Sequence, residues 1–139
     1  MKYDILIVGS GPGGYVAAIR AAQLGRRVAL VERAEAGGVC LNWGCIPTKA
    51  LLKSAQVYGY CRHARPYGVE LTGEVRPDPE KIIARSRGVA ETMSKGVQFL
   101  LRKNNIDLIP GFGRLTAPGR LDVEGTTYEA DHIILATGA

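Results

Sequence analysis

The feature that most narrows the fold is a glycine turn set between a short apolar run and a helical pattern. Tyr3 to Val8 is continuous, apolar and rich in branched side chains. Such a run predicts a buried parallel strand. It runs directly into Gly9-Ser10-Gly11-Pro12-Gly13-Gly14, whose glycines at 9, 11 and 14 satisfy G-x-G-x-x-G. Gly13 to Gly25 then carries small and apolar residues at helical spacing, with Gly25 as the terminating residue. Arg27 to Val31 reads as a second buried strand ending at Glu32. The whole is a βαβ unit, with a right-handed crossover expected. In such a unit the first glycine permits the tight turn, the second lets a pyrophosphate approach the backbone, and the third lets helix pack on strand. The helix N-terminus then faces the phosphates. Glu32 stands where an acidic side chain accepts hydrogen bonds from a ribose, which argues against a 2′-phosphate. These residues alone do not separate FAD from NAD.

The remaining elements follow from local signals. Residues 34–46 form a loop rich in glycine and cysteine. A helix is predicted from near Cys45, with Pro47 in its first turn, to about His63. Residues 65–77 read as a linker. Asp78-Pro79 is a helix start, and that helix runs to about Lys103. Its predicted apolar face is Ile82, Ile83, Ser86, Val89, Met93, Val97, Leu100 and Leu101, with Ser86 as its weak point. Short strands are predicted at Asp107–Pro110, Gly113–Leu115, Arg120–Val123 and Thr127–Tyr128, the last two joined by a Glu124-Gly125 turn. A final apolar segment, Ile133 to Ala136, ends in Thr137-Gly138. The class is α/β: a Rossmann-like domain with a parallel sheet, long helices and a small antiparallel β-meander.

Composition removes several alternatives. The 139 residues are 46% hydrophobic, which rules out a disordered chain. The net charge of +5 comes from scattered Lys and Arg with no basic stripe, so nucleic acid is not an expected partner. No stretch approaches the roughly 20 apolar residues of a membrane span, and Met1-Lys2-Tyr3-Asp4 does not begin a secretory signal. The expected location is the cytoplasm, with no membrane association.

Three cysteines then demand an explanation. Cys40-Leu41-Asn42-Trp43-Gly44-Cys45 is C-x4-C, a spacing that permits a disulfide if the loop folds back. A structural bridge over about six residues would contribute only roughly 2 kcal/mol, and the cytosol would tend to reduce it. A zinc site would need four ligands, for which Cys40, Cys45, Cys61 and His63 are candidates, but the spacing matches known sites poorly. Redox chemistry fits better. Cys45 at a helix N-terminus lies where the dipole favours a thiolate, and Lys49 adds positive charge one turn on. Cys61 reads as an inert packed thiol, and His132 as a surface or edge residue preceding a strand. No metal is expected.

Gly37-Gly38-Val39-Cys40-Leu41-Asn42-Trp43-Gly44-Cys45-Ile46-Pro47-Thr48-Lys49-Ala50-Leu51-Leu52 resembles the signature of the pyridine nucleotide-disulfide oxidoreductases, and Ile-Pro-Thr-Lys-Ala-Leu-Leu looks most like the dihydrolipoamide dehydrogenase branch. Glutathione and mercuric reductases carry similar runs that match less well. The resemblance extends over the whole chain, including the closing Ala136-Thr137-Gly138, which is similar to a second FAD-contacting turn. It implies that residues 1–139 are the N-terminal part of an FAD-binding domain, incomplete relative to the family. Gly9, Gly11 and Gly14 would then lie on the FAD pyrophosphate and Glu32 on its ribose. Pro12, Gly13, Arg33, Gly38, Val39, Gly113, Ala136, Thr137 and Gly138 would be further FAD contacts. Cys45 would be the charge-transfer thiolate beside the flavin, Cys40 the thiol that exchanges with substrate, and Lys49 a neighbour of the reactive flavin nitrogen. The implied reaction is oxidation of protein-bound dihydrolipoamide, with electrons delivered through the cysteine pair and FAD to NAD.

The NAD domain, the remainder of the FAD domain and the dimer-interface domain with its His–Glu base are not expected in this chain, so weak or no turnover is expected from it alone. The implied partners are a second copy of the enzyme and the lipoyl domain of 2-oxoacid dehydrogenase or glycine cleavage complexes. A non-catalytic FAD-binding module or remnant, or another disulfide reductase branch, is the alternative.

Overall fold

The computed structural model describes residues 2–138. The first strand, β1 (Lys2–Val8), is followed by helix α1 (Pro12–Gln23) and strand β2 (Val28–Glu32). Strand β2 pairs parallel to β1 with Ile5 opposite Val28 and Val8 opposite Val31, as a βαβ unit requires. The apolar run of β1 is unbroken because both faces of the sheet are covered. Ile7 packs with Ala18, Leu30, Val97 and Leu101 on the helical side. Its neighbours Leu6 and Val8 pack with Ala29, Val31, Ile109 and Leu121 on the other. Alternation along an extended chain sends successive side chains to opposite faces, so a strand buried twice shows no polar period. Helix α1 opens with Pro12 in its first turn and is capped at Leu24, leaving Gly25 in the turn that follows.

Three α-helices follow. A five-residue helix, α2 (Gly38–Asn42), sits inside the segment expected to be a loop. Helix α3 (Cys45–Arg62) ends at His63 and, after a 3-10 turn at Arg65–Tyr67, the chain reaches α4 (Pro79–Lys103). Asp78 caps α4 as the sequence predicts, its carboxylate accepting from the Lys81 N–H at 3.1 Å.

The face that α4 buries agrees with the predicted stripe at Ser86, Val97 and Leu101, with Ile82 and Val89 half-buried, and departs from it at the other positions. Ala90 and Ser94, outside the predicted stripe, are each 4% exposed, whereas Ile83 and Met93 within it are 58% and 43% exposed. Val97 and Leu101 do face the core, while Leu100 does not. The small residues win the buried face because α4 packs closely there on α3 and on the segment that enters α2: Ser94 hydrogen-bonds the Ala36 carbonyl at 2.7 Å, and Arg85 bonds the Ala50 carbonyl at 3.0 Å. A bulky stripe would hold the helices apart.

The remaining strands are β3 (Asp107–Pro110), β4 (Gly113–Ala117), β5 (Arg120–Val123) and β6 (Thr126–Leu135). The sheet order is β3-β2-β1-β6-β5-β4. The first four strands are mutually parallel, and β6, β5 and β4 are antiparallel. The segments predicted separately at Thr127–Tyr128 and Ile133–Ala136 are thus one strand, and His132 lies within it opposite Ile5 rather than before it. The polar Asp131 and His132 that interrupt the sequence pattern point to exposed positions on a strand whose backbone ladder with β1 continues through them. No helix among the described residues is long and apolar enough to cross a membrane.

Candidate functional site

The carboxyl end of β1 is where the site gathers. Gly9 has φ +100, and a Cβ there would stand 2.3 Å from the Ala136 carbonyl oxygen. The turn is held from both sides, Gly9 N–H donating to Val31 and Ala136 N–H donating to Val8, each at 2.8 Å. At Gly14 a Cβ would fall 1.8 Å from the Gly9 carbonyl oxygen, so only glycine lets α1 lie this close to the strand. Gly11 and Gly13 differ in kind: a Cβ at either would meet nothing within 4 Å. The packing glycines and the open ones are therefore separate, and the open pair sits at the N-terminal end of a twelve-residue helix, where backbone N–H groups favour an anion.

On one side of this turn lies a cavity of about 300 Å³. The expected residues Gly9, Glu32, Arg33, Gly113, Thr137 and Gly138 line it together with Val8 and Val31. The sequence reading missed Gly111 and Phe112, which complete the wall. The signal for them was slight: an aromatic between two glycines linking short strands. Gly111 N–H donates to the Glu32 carbonyl and Phe112 N–H to the Glu124 carboxylate, each at 2.9 Å, and these bonds fix that wall.

Glu32 is organised from within. Its Oε2 accepts from the Ser10 N–H at 2.9 Å and the Ser10 hydroxyl at 2.6 Å, and its Oε1 accepts from the Ala34 N–H at 2.9 Å. Burial alone would push this carboxyl up, but the Ser10 and Ala34 donors outweigh it and hold it below the ordinary glutamate range. The carboxylate therefore stays charged, with lone pairs left to accept from hydroxyl groups in the cavity. Ser10 is fully buried and also takes the Gly37 N–H on its hydroxyl at 3.2 Å, joining the acidic strand end to the cysteine segment.

On the other side of the turn stands that cysteine segment. Gly38 has φ +61, and a Cβ there would lie 2.8 Å from Gly11 Cα, so α2 begins against the glycine turn itself. Val39 and Trp43 are exposed, while Leu41 anchors α2 in the core. Cys40 is half-buried and packs, like Ile46 and Ala136, against the helical-side core. Cys45 is the exposed first residue of α3. Both are free thiols. They are close enough that a hydrogen bond with Cys45, followed by burial, pushes the Cys40 thiol up, while the Lys49 charge pulls it partly back. The structure thus brings Cys40, Cys45 and Lys49 together next to Gly11 and Gly38. Gly11, Pro12, Gly13, Gly14, Val39 and Ala136 lie outside the cavity but at the same end of the sheet. Cys61 belongs elsewhere: sixteen positions further along α3, it is about 24 Å from Cys45 by helical rise. Among the described residues no three His, Cys, Asp or Glu side chains group as a metal ion needs, and His63 instead bonds the Gly59 carbonyl at 2.9 Å.

Comparison with known proteins matches residues 3–139 to the family described as pyridine nucleotide-disulphide oxidoreductase. A dihydrolipoyl dehydrogenase of Rhizobium etli is 50% identical over 99% of this chain and 33% of its own length. Those of Acholeplasma laidlawii and Zymomonas mobilis are 49% and 54% identical, again over 99% of this chain, and over 41% and 30% of their own lengths. The chain thus spans roughly a third of the length of these curated relatives. A family match that takes in the glycine turn, the cysteine segment and the closing strand alike permits one assignment: the chain belongs to the pyridine nucleotide-disulphide oxidoreductase family.

Proposed function

We propose that this chain is the FAD-binding, redox-disulfide portion of a dihydrolipoyl dehydrogenase. The observation that carries the reading is the contact between Gly38 and Gly11, which sets the Cys40–Cys45 pair beside a nucleotide-type glycine turn. The residues present suit an extended dinucleotide. Gly11 and Gly13 leave open the space a Cβ would fill at the α1 N-terminus, and the charged Glu32 looks into the cavity on the far side of the turn. In this reading Gly9, Gly11, Pro12, Gly13 and Gly14 hold the pyrophosphate. Glu32 and Arg33, with Gly113, Thr137 and Gly138, hold the adenosine half. Gly38, Val39, Cys40, Cys45, Lys49 and Ala136 border the flavin. FAD bound there supplies the two-electron chemistry that links thiols to a nicotinamide.

The chain's own residues perform the thiol half of the reaction. Oxidised, Cys40 and Cys45 form a disulfide. A substrate thiolate attacks the Cys40 sulfur, the Cys40–Cys45 bond breaks, and Cys45 leaves as a thiolate. The second substrate thiolate attacks the substrate sulfur of this mixed disulfide, closing the substrate disulfide and releasing Cys40. The substrate loses two electrons, and the cysteine pair holds them as two reduced sulfurs. Lys49 supplies positive charge near these sulfurs, favouring whichever is ionised. NAD binding is assigned to protein outside residues 1–139. The partners are a second copy of the enzyme and a lipoyl-bearing protein of a 2-oxoacid dehydrogenase or glycine cleavage complex, and the location is the cytoplasm.

The test places the substitutions in the full-length FAD-bound enzyme that carries residues 1–139 and measures dihydrolipoamide-dependent NAD reduction. Cys40→Ser and Cys45→Ser are each expected to bind FAD yet fall to the background rate. Wild-type turnover in either variant would exclude the pair as the electron acceptor.

A further inference from the structure

The short helix that carries Cys40 has no means of standing alone. At five residues α2 is far below the length at which a helix persists in water, and its Gly37 cap offers no side chain. What holds it is the side chain of Asn42. The Asn42 amide donates to the Gly38 carbonyl at 2.9 Å and the Ala36 carbonyl at 3.1 Å, and reaches the Glu35 carbonyl at 3.5 Å. It thereby ties the exit of α2 to the chain that enters it. The tied segment is in turn fastened to α4 at both ends. Ser94 donates its hydroxyl to the same Ala36 carbonyl at 2.7 Å, and Arg87 donates to the Asn42 carbonyl at 3.0 Å. Asn42 and Ser94 are both buried.

The two cysteines bracket this clamp. Cys40 lies inside the closed segment, and only Trp43 and Gly44 separate Asn42 from Cys45. Gly44 adds no slack, since even a Cβ there would come within 3.1 Å of the Val39 carbonyl oxygen. Asn42 and its anchors thus hold the backbone that carries Cys40 and leads into Cys45.

We propose that Asn42 is a positioning residue for the Cys40–Cys45 couple, anchored through its carbonyl by Arg87 and through Ala36 by Ser94. The inference rests on the redox reading above. A disulfide forms more favourably the higher the effective concentration of one thiol at the other, which falls when the intervening chain gains freedom. Releasing the clamp shifts the couple toward the dithiol. It also removes the Cys45 hydrogen bond that holds the Cys40 thiol up.

The test poises the FAD-bound protein against graded lipoamide and dihydrolipoamide mixtures, alkylates it, and counts free Cys40 and Cys45 by mass spectrometry. This yields an exchange constant that does not depend on turnover. Asn42→Ala is expected to move it about tenfold toward the dithiol, equivalent to about 30 mV for a two-electron couple, and to lower the pH at which Cys40 becomes reactive to alkylation. Arg87→Met is expected to shift it the same way by threefold or more. Asn104→Ala, which removes a 2.8 Å bond to the Leu100 carbonyl at the far end of α4, serves as the control: its melting temperature falls and its exchange constant stays. A shift below threefold in Asn42→Ala overturns the proposal, and Arg87→Met decides by the same threshold if Asn42→Ala does not fold. An equal shift in Asn104→Ala also overturns it, since general loosening then suffices. If the wild type never forms the Cys40–Cys45 disulfide at any poise, the redox reading itself fails. If the wild type titrates normally and the variants match it, only the positioning role fails.

Discussion

At Gly14 the space for a side chain is occupied by the Gly9 carbonyl, while at Gly11 it is empty, and the two positions should respond oppositely to one methyl group. Gly14→Ala must push α1 off β1, because its Cβ would stand 1.8 Å from backbone that cannot yield. We expect a loss of about 3 kcal/mol or more in urea unfolding, at the upper end for overpacking. Gly11→Ala meets nothing within 4 Å and keeps a backbone φ of −62 that alanine accepts. Its stability should stay within about 0.5 kcal/mol of the wild type, while FAD affinity falls by roughly tenfold because the methyl group blocks phosphate from the backbone. Unchanged FAD binding in Gly11→Ala, measured by fluorescence titration, would argue that the nucleotide does not lie on this turn.

Glu32 tests the other half of the site. Glu32→Gln replaces one acceptor oxygen by an NH2 donor facing the donors of either Ser10 or Ala34, and should cost about 1–3 kcal/mol at pH 7. The wild-type carboxyl titrates below the ordinary glutamate value of 4.5. The stability it contributes is thus complete above about pH 4.5 and drains away as pH falls through the lower folded value. Urea midpoints of the two proteins should run parallel from neutral pH down to that point and converge below it.

At the scale of elements, α4 offers the sharpest contrast between pattern and packing. Ala90→Leu should cost about 1–3 kcal/mol by overpacking the contact with α2, whereas Met93→Ser on the exposed face should change stability by about 0.5 kcal/mol or less. If the sizes were reversed, the buried face would be the apolar stripe after all. The sequence misleads here because hydrophobic periodicity records which residues dislike water, not which ones fit. Ser86 enters the interior with its hydroxyl satisfied by the Ile83 carbonyl of its own helix, whereas Ser94 needs the Ala36 carbonyl, a partner visible only once the segment entering α2 is in place. The same logic explains α2, a helix inside an apparent loop, which exists because Asn42 closes it. By contrast, the turn at Gly9, Gly11 and Gly14, the acidic end at Glu32, the Asp78 cap and the cysteine pair were legible, since each is a local pattern with a local cause. Gly111 and Phe112 were not, because they reach the cavity only through the pairing of β3 with β2, which residues near Glu32 do not announce.

The whole molecule carries an alkaline limit at the edge opposite the site. The Tyr3 hydroxyl donates to Asp107 at 2.9 Å, linking β1 to β3 across β2, and the Arg27 guanidinium lies 5.2 Å from the ring centre. Burial first, and then the bond to Asp107, push the phenol up to about 12. A raised value means that the protonated form favours the fold, so this contribution is intact below pH 10 and is lost as pH rises from 10 toward 12. Tyr3→Phe should be less stable than the wild type at neutral pH and should lack the added decline across that interval, as followed by circular dichroism.

Strand β6 gives the molecule a different property. Residues 126–129 pair with β5 and residues 129–135 run along β1, and the strand delivers Ala136, Thr137 and Gly138 to the glycine turn. It behaves as a ruler laid between two scales. Adding one residue at the Glu124-Gly125 bend lengthens only the bend. Adding one between Ala130 and Ile133 would turn every later side chain to the opposite face and carry the closing residues past Gly9 by one pleat. Along this strand, distance in sequence converts into tolerance: the chain can drift at one end and must count at the other.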